Sequence, residues 1–147
     1  VRAGAPHVVE YFHQVDDPYS HLAVQALGRI RSRYDIELRP WLVGEPADWA
    51  APERERLIAY ARSDAARLAR RADLDFRDPG RQPAPAQVAA AAGRLAAVLE
   101  SSDFFDVAQS VGGAMWSGRE LTGGPHSGHA TEAIEAGTAR RARLGHF

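Results

Sequence analysis

Asp17-Pro18-Tyr19-Ser20 follows an apolar run, and two of its side chains are of types that could do chemistry. The Asp17 carboxylate could serve as a general base, and the Ser20 hydroxyl could hydrogen-bond a ligand. Each also has a plainer use. Asp17 ahead of Pro18 reads as a helix N-cap, its carboxylate accepting from backbone N–H groups while proline fits the first turn. A serine in a first helical turn, such as Ser20, commonly faces its own backbone. Tyr19 either lines a substrate cleft or packs against a sheet edge. His13 and His21 flank this turn, and imidazole titrates near neutrality, so the two could act as acid and base. Their spacing matches no metal motif, and structural or surface roles are expected for both.

Other chemistries have no residues to carry them. Cysteine is absent, which excludes disulfides, Cys-ligated zinc and a thiolate nucleophile. No Gly-x-Ser-x-Gly elbow occurs, and Gly118 to Gly124 lacks the Gly-Lys-Ser/Thr ending of a phosphate-binding loop. His126-Ser127-Gly128-His129 reads as a solvated loop, and no metal is expected. The chain has 147 residues, the size of one ordinary domain, with 45% hydrophobic and 25% charged residues. Lys plus Arg (18) nearly balance Asp plus Glu (19), so bulk charge supports neither a nucleic-acid nor a membrane partner. The longest apolar runs fall far short of a membrane span. No apolar stretch follows Val1-Arg2-Ala3-Gly4, and the default compartment is cytoplasmic.

The elements that must position the turn follow from periodicity. His7 to Val15 is rich in β-branched and aromatic residues and reads as a strand. Leu22, Ala23, Ala26, Leu27 and Ile30 recur at helical spacing, giving a helix from Pro18 to about Arg33. Ile36 to Val43 begins with strand alternation, and Pro40 puts its end at an edge or bend. Strand, helix and strand make a βαβ unit, normally parallel and right-handed. Pro52 to Leu74 is a charged amphipathic helix with Leu57, Ile58, Ala61, Ala65, Leu68 and Ala72 on one side. Its arginines 62, 67, 70 and 71 read as a solvated face, with Asp64 pairing Arg67 and Tyr60 packed on the core. A proline-rich loop (77–85) precedes an Ala-rich helix from Ala86 to Glu100. Asp103 caps a helix reaching about Trp116, and Thr131 to Phe147 forms the last helical stretch. Trp41, Trp49 and Trp116 are expected in the core or at a domain interface. Two parallel strands make a poor sheet alone, so either helices cover them or further strands come from elsewhere.

Val9 to Ala23, an apolar strand running into Asp17-Pro18-Tyr19-Ser20, resembles the signature of the DsbA-like thioredoxin-fold group. In that group an X-Pro-Tyr-X motif opens the first helix. DsbA oxidoreductases carry Cys at both X positions, whereas 2-hydroxychromene-2-carboxylate isomerases and kappa-class glutathione transferases carry Ser at the first. Arg39 to Gly44 is similar to the end of the group's second strand, and Tyr60 to Ala69 to the helix opening its inserted domain. The resemblance covers most of residues 7 to 118.

It implies an α/β thioredoxin-like βαβ unit (1–50) with a helical insertion (51–147), lacking the C-terminal ββα half. The chain is then a fragment whose exposed sheet edges favour a homodimer. Asp17 and Ser20 would be the catalytic pair, with Pro18, Tyr19, Tyr60 and Asp64 binding a small-molecule substrate or glutathione. The implied activity is that of a glutathione-linked oxidoreductase or isomerase. The alternative is a non-catalytic thioredoxin-like binding or scaffold module. Asp17 stands where the group has Ser or Cys, and its carboxylate would repel a bound thiolate and take up the N–H groups that stabilise one.

Overall fold

The computed structural model describes residues 7–146, so Val1 to Gly4 and Phe147 lie outside the described residues. Strand β1 (His7–Gln14), helix α1 (Pro18–Arg31) and strand β2 (Ile36–Val43) follow one another, and the strands pair in parallel from His7 opposite Ile36 to Gln14 opposite Val43. Pro40 sits within β2 opposite Tyr11, tolerated because the sheet has only two strands and a free edge. After a 3-10 turn at Asp48–Ala50 come α2 (Arg54–Ala72), α3 (Pro85–Ala97), α4 (Phe104–Trp116) and α5 (Ala130–Arg143). The described residues thus form a mixed α/β fold with one two-stranded parallel sheet and five helices. None of these helices is long and apolar enough to cross a membrane.

Alternation along β1 sends odd and even residues to opposite faces. On one face Tyr11 packs on Phe105 of α4 at 5.8 Å between ring centroids, and His13 meets Phe104 edge-on at 6.0 Å. On the other, Glu10 pairs with Arg140 of α5 at 2.8 Å. Helices therefore cover both faces of the pair, which answers the need for a further layer. Phe104 and Leu42 are completely buried, and enclosing side chains of this size stabilises by about 1.5–3 kcal/mol each. The buried cluster draws Val15, Leu22, Val24 and Leu42 together with Ala65, Phe76, Leu95 and Met115, so residues from both sides of position 50 share one core.

Several expectations need correction. Helix α2 buries Ala65, Ala66 and Ala69, whereas Leu57 and Leu68 are exposed: the helix docks through its small residues, where backbones approach closely. Tyr60 is 59% exposed rather than packed on the core. Arg62 is not solvated; it is largely buried, bonded to Asp78 at 3.2 Å and to Gln82 at 3.0 Å. Trp49 is 68% exposed, carried outward on the 3-10 turn, while Trp116 is buried as expected. Asp103 occupies the position before α4, but its side chain caps nothing and accepts from Ser102 Oγ. The 122–128 loop is exposed yet tethered, with Ser127 N–H donating to the Gly93 carbonyl and the His126 ring lying over Gly93.

Helix α5 approaches β2 so closely that only glycine fits at 137: a Cβ there would fall within the radius of the Leu42 carbonyl oxygen. Gly44 N–H donates to Thr138 Oγ1 at 3.0 Å beside this contact. Gly137→Ala should lower unfolding stability by about 1–3 kcal/mol in urea titration. Gly113→Ala, with open space around it, should be neutral or stabilising by up to about 1 kcal/mol. Equal behaviour of the two variants would show that α5 does not rest on β2.

Candidate functional site: the turn from β1 into α1

The chain leaves β1 at Gln14 and turns through an Asp17 N–H to Gln14 carbonyl bond of 3.3 Å. Asp17 has extended backbone angles and caps α1, its Oδ2 accepting from the Ser20 N–H at 2.8 Å and from the Ser20 hydroxyl at 2.9 Å. The Ser20 Oγ in turn accepts from Gln14 N–H at 3.2 Å. These bonds give Ser20 the backbone-directed role, and the residue is buried. The Tyr19 N–H also acts on the Asp17 carboxylate and favours its charged form.

Tyr11 braces the same turn from below. Its hydroxyl donates to the Ser20 carbonyl at 3.0 Å and lies 2.9 Å from His13 Nδ1. The tyrosine proton being committed to Ser20, His13 must carry its proton on Nδ1 and donate to Tyr11. His21 Nε2 donates to the Asp75 carbonyl at 3.1 Å, and Gln25 Nε2 donates to the same carbonyl at 3.0 Å and to the His21 carbonyl at 3.2 Å. Both histidines are 4% exposed and anchor the core.

An open cleft of about 210 Å³ lies at the turn, with Asp16, Asp17, Pro18 and Gln14 on one side and Arg54, Leu57, Ile58 and Ala61 of the α2 region on the other. This is smaller than the roughly 300–1,000 Å³ of pockets that enclose a drug-sized ligand, so it suits one end of a molecule. Arg54 is already bound to Glu45 at 3.1 Å and to Asp48 at 2.8 Å, which leaves the carboxylates of Asp16 and Asp17 to make the cleft acidic. Of the residues singled out from the sequence, Asp17 and Pro18 line this cleft, while Tyr19, Ser20, Tyr60 and Asp64 lie outside its lining. Tyr19 instead donates to Asp64 Oδ2 at 2.9 Å, joining α1 to α2, and Asp64 pairs with Arg67 at 3.8 Å.

Comparison of the chain with protein-family models and with curated proteins returns no match. The site is thus read from its own geometry. Among the described residues no group of His, Cys, Asp and Glu is arranged to hold a metal ion.

Electrostatics follow from burial. Desolvation raises the Asp17 carboxyl above the ordinary carboxylate value, partly offset by the Ser20 bonds, and Asp16 adds repulsion in the same direction as burial. Burial and the Asp64 carboxylate push Tyr19 up to about 12, with smaller contributions from Tyr60 and Asp17. His13 is pushed down to about 3 by desolvation and by His21, and His21 is lowered chiefly by its own burial.

Four residues of this site escaped the sequence reading. Tyr11 carries a signal, since it alternates with His13 on the inward face of β1. Gln14, Arg54 and Gln82 carry none: their roles come from contacts across the fold, such as the 3.1 Å bond from Gln82 Nε2 to the Asp16 carbonyl.

A pH dependence follows. An unfolded histidine binds its proton near pH 6.5, whereas folded His13 refuses it until about pH 3. Below pH 6.5 the unfolded state therefore binds more protons, and stability present above that pH is lost as pH falls. Asp17 acts oppositely: its raised carboxyl makes the folded state bind the proton more readily, so stability is regained as pH drops through its folded value. Urea unfolding should show net loss from pH 7 to pH 5, before carboxyls protonate. His13→Asn keeps a donor for Tyr11 and should flatten that slope; an unchanged slope would mean His13 is not held neutral.

Proposed function

We propose that this chain is a thioredoxin-like protein of the DsbA and 2-hydroxychromene-2-carboxylate isomerase type, acting on a small molecule at the start of α1 with a carboxyl in place of the thiol. The observation that carries this reading is the Asp17 carboxyl. It lines an open cleft and has its proton affinity raised by burial, against the opposing effect of the Ser20 and Tyr19 bonds. A raised proton affinity is the direction of shift that general acid–base chemistry by a carboxyl requires. The β1–α1–β2 unit with Pro18 in the first turn of α1 supports the same reading. In this proposal glutathione or a related thiol compound is the ligand, Pro18 forms the cleft wall, and Tyr19, Tyr60 and Asp64 form a neighbouring cluster on α1 and α2. Exposed Val8 and Val9 on β1 support association of two copies.

One observation favours a second reading, a thioredoxin-like binding or scaffold module without catalysis. Asp17 takes the Ser20 N–H at the open end of α1, so the position that would receive a thiolate is already filled by an anion of the chain itself.

Glutathione titration by calorimetry separates the two. The first reading expects saturable binding to the wild type and tighter binding to Asp17→Ser, which removes the competing charge while retaining a capping side chain. If neither protein binds while both remain folded, the glutathione-linked reading fails and the module reading stands.

A further inference from the structure

Away from the Asp17 turn, the end of α4, the 79–84 loop and the start of α3 enclose a second region with a different chemistry. Two adjoining clefts, of about 370 and 490 Å³, share Pro79, Trp116 and Ser117 as a common wall. The larger falls within the roughly 300–1,000 Å³ typical of small-molecule sites. Its lining contains no acidic residue, and Arg81 is its only charged side chain. The Arg81 guanidinium comes within 3.9 Å of the position a Cβ would take on Gly118. Arg119, from the adjoining cleft, places Nε 2.9 Å from Ser117 Oγ. Two guanidinium groups therefore converge on Ser117–Gly118, and neither has a carboxylate partner among the described residues.

Negative charge nearby does not cancel them. Asp78 on the first cleft is engaged by Arg62 at 3.2 Å, which leaves Asp75 as the one other carboxylate there, and Arg77 stands beside it. Two further donors are available. Gln87 lines the larger cleft, and with its oxygen accepting from Ala84 N–H at 3.2 Å its NH2 group makes no hydrogen bond among the described residues. The indole N–H of Trp116, on the shared wall, is buried without a partner. An orphaned buried donor calls for an acceptor that the protein itself does not supply.

The alternative role for these arginines is to serve the negative end of the α4 dipole. That end is already served: Ser117 Oγ donates to the Gly113 and Ala114 carbonyls at 2.6 and 3.1 Å, and Arg119 Nε goes to the hydroxyl rather than to a carbonyl. Like charges gathered around a concave, donor-rich surface are matched by a multiply charged anion, and guanidinium forks fit phosphoryl oxygens bidentately.

We propose that the cleft between the 79–84 loop, the start of α3 and the end of α4 binds the phosphoryl group of a small molecule, held by Arg81 and Arg119 with Gln87 of α3 as a further donor. This site shares only Gln82 with the lining of the Asp17 cleft and does not rest on any thioredoxin-like reading. The probes are inorganic phosphate and phenyl phosphate, added to the full chain in chloride at physiological ionic strength. The readout is the Trp116 indole N–H resonance, assigned with Trp116→Phe. A saturable shift is expected, weakened at least about tenfold in the Arg81→Gln/Arg119→Gln double variant. Both substitutions are at exposed positions, and circular dichroism checks that the fold is retained. Equal affinity for the two probes assigns recognition to the phosphoryl group alone, and tighter phenyl phosphate binding adds the body of an ester. No saturable shift with either probe, or a shift that the double variant leaves unchanged, overturns the proposal.

Discussion

The Asp17 carboxylate and the Ser20 N–H meet at the point where an extended chain becomes a helix, and much of the molecule is organised around that bond. A capping interaction of this kind is worth about 0.5–2 kcal/mol, a modest sum, but its geometric effect is larger. It sets the direction in which α1 departs from β1, which decides whether Leu22 and Val24 reach the core. Ser20 completes the arrangement by accepting from Gln14, so the last residue of the strand and the first turn of the helix are tied through one hydroxyl. Tyr11 then fastens the Ser20 carbonyl to the sheet. The turn is held from three directions.

That rigidity carries a chemical consequence. The open end of α1 is occupied by its own cap, so the turn does not offer free N–H groups to an incoming anion. What it offers instead is the Asp17 carboxyl, in a cleft whose only lining cation, Arg54, is already paired with Glu45 on the same lining and with Asp48. The region near Trp116 has the reverse character, with arginines lacking carboxylates. The molecule thus presents one acidic and one basic concavity, which meet at Gln82 on the loop that joins α2 to α3.

The βαβ front was legible because each of its parts announces itself locally: a β-branched strand, an Asp-Pro start, helical spacing of leucines and alanines, and a second alternating strand. Helix α2 was legible as a helix but not in its orientation. Leu57 and Leu68 look like core residues by type, yet the buried ones are Ala65, Ala66 and Ala69, because close approach favours small side chains over greasy ones. Asp103 has a capping residue's identity and position without the bond, and it lacks the proline that follows Asp17. Arg62 reads locally as a solvated residue although it is largely buried, and Gln82 and Arg54 give no local signal. Their partners lie on other elements, and periodicity carries no information about such pairings.

The seat of α5 on β2 has a bearing on how the chain reaches its final state. Gly44 and Thr138, which bond to each other there, are 94 residues apart. Glu10 and Arg140 on the same side are 130 apart, and α5 is the last helix in the described residues, so the face carrying Glu10 is the last to be covered. During synthesis a nascent chain would hold that surface open while α2, α3 and α4 were still emerging, and closing so long a loop is intrinsically slow. The charge on Glu10, which later finds Arg140, keeps the waiting face hydrated in the meantime and discourages its pairing with a neighbouring strand.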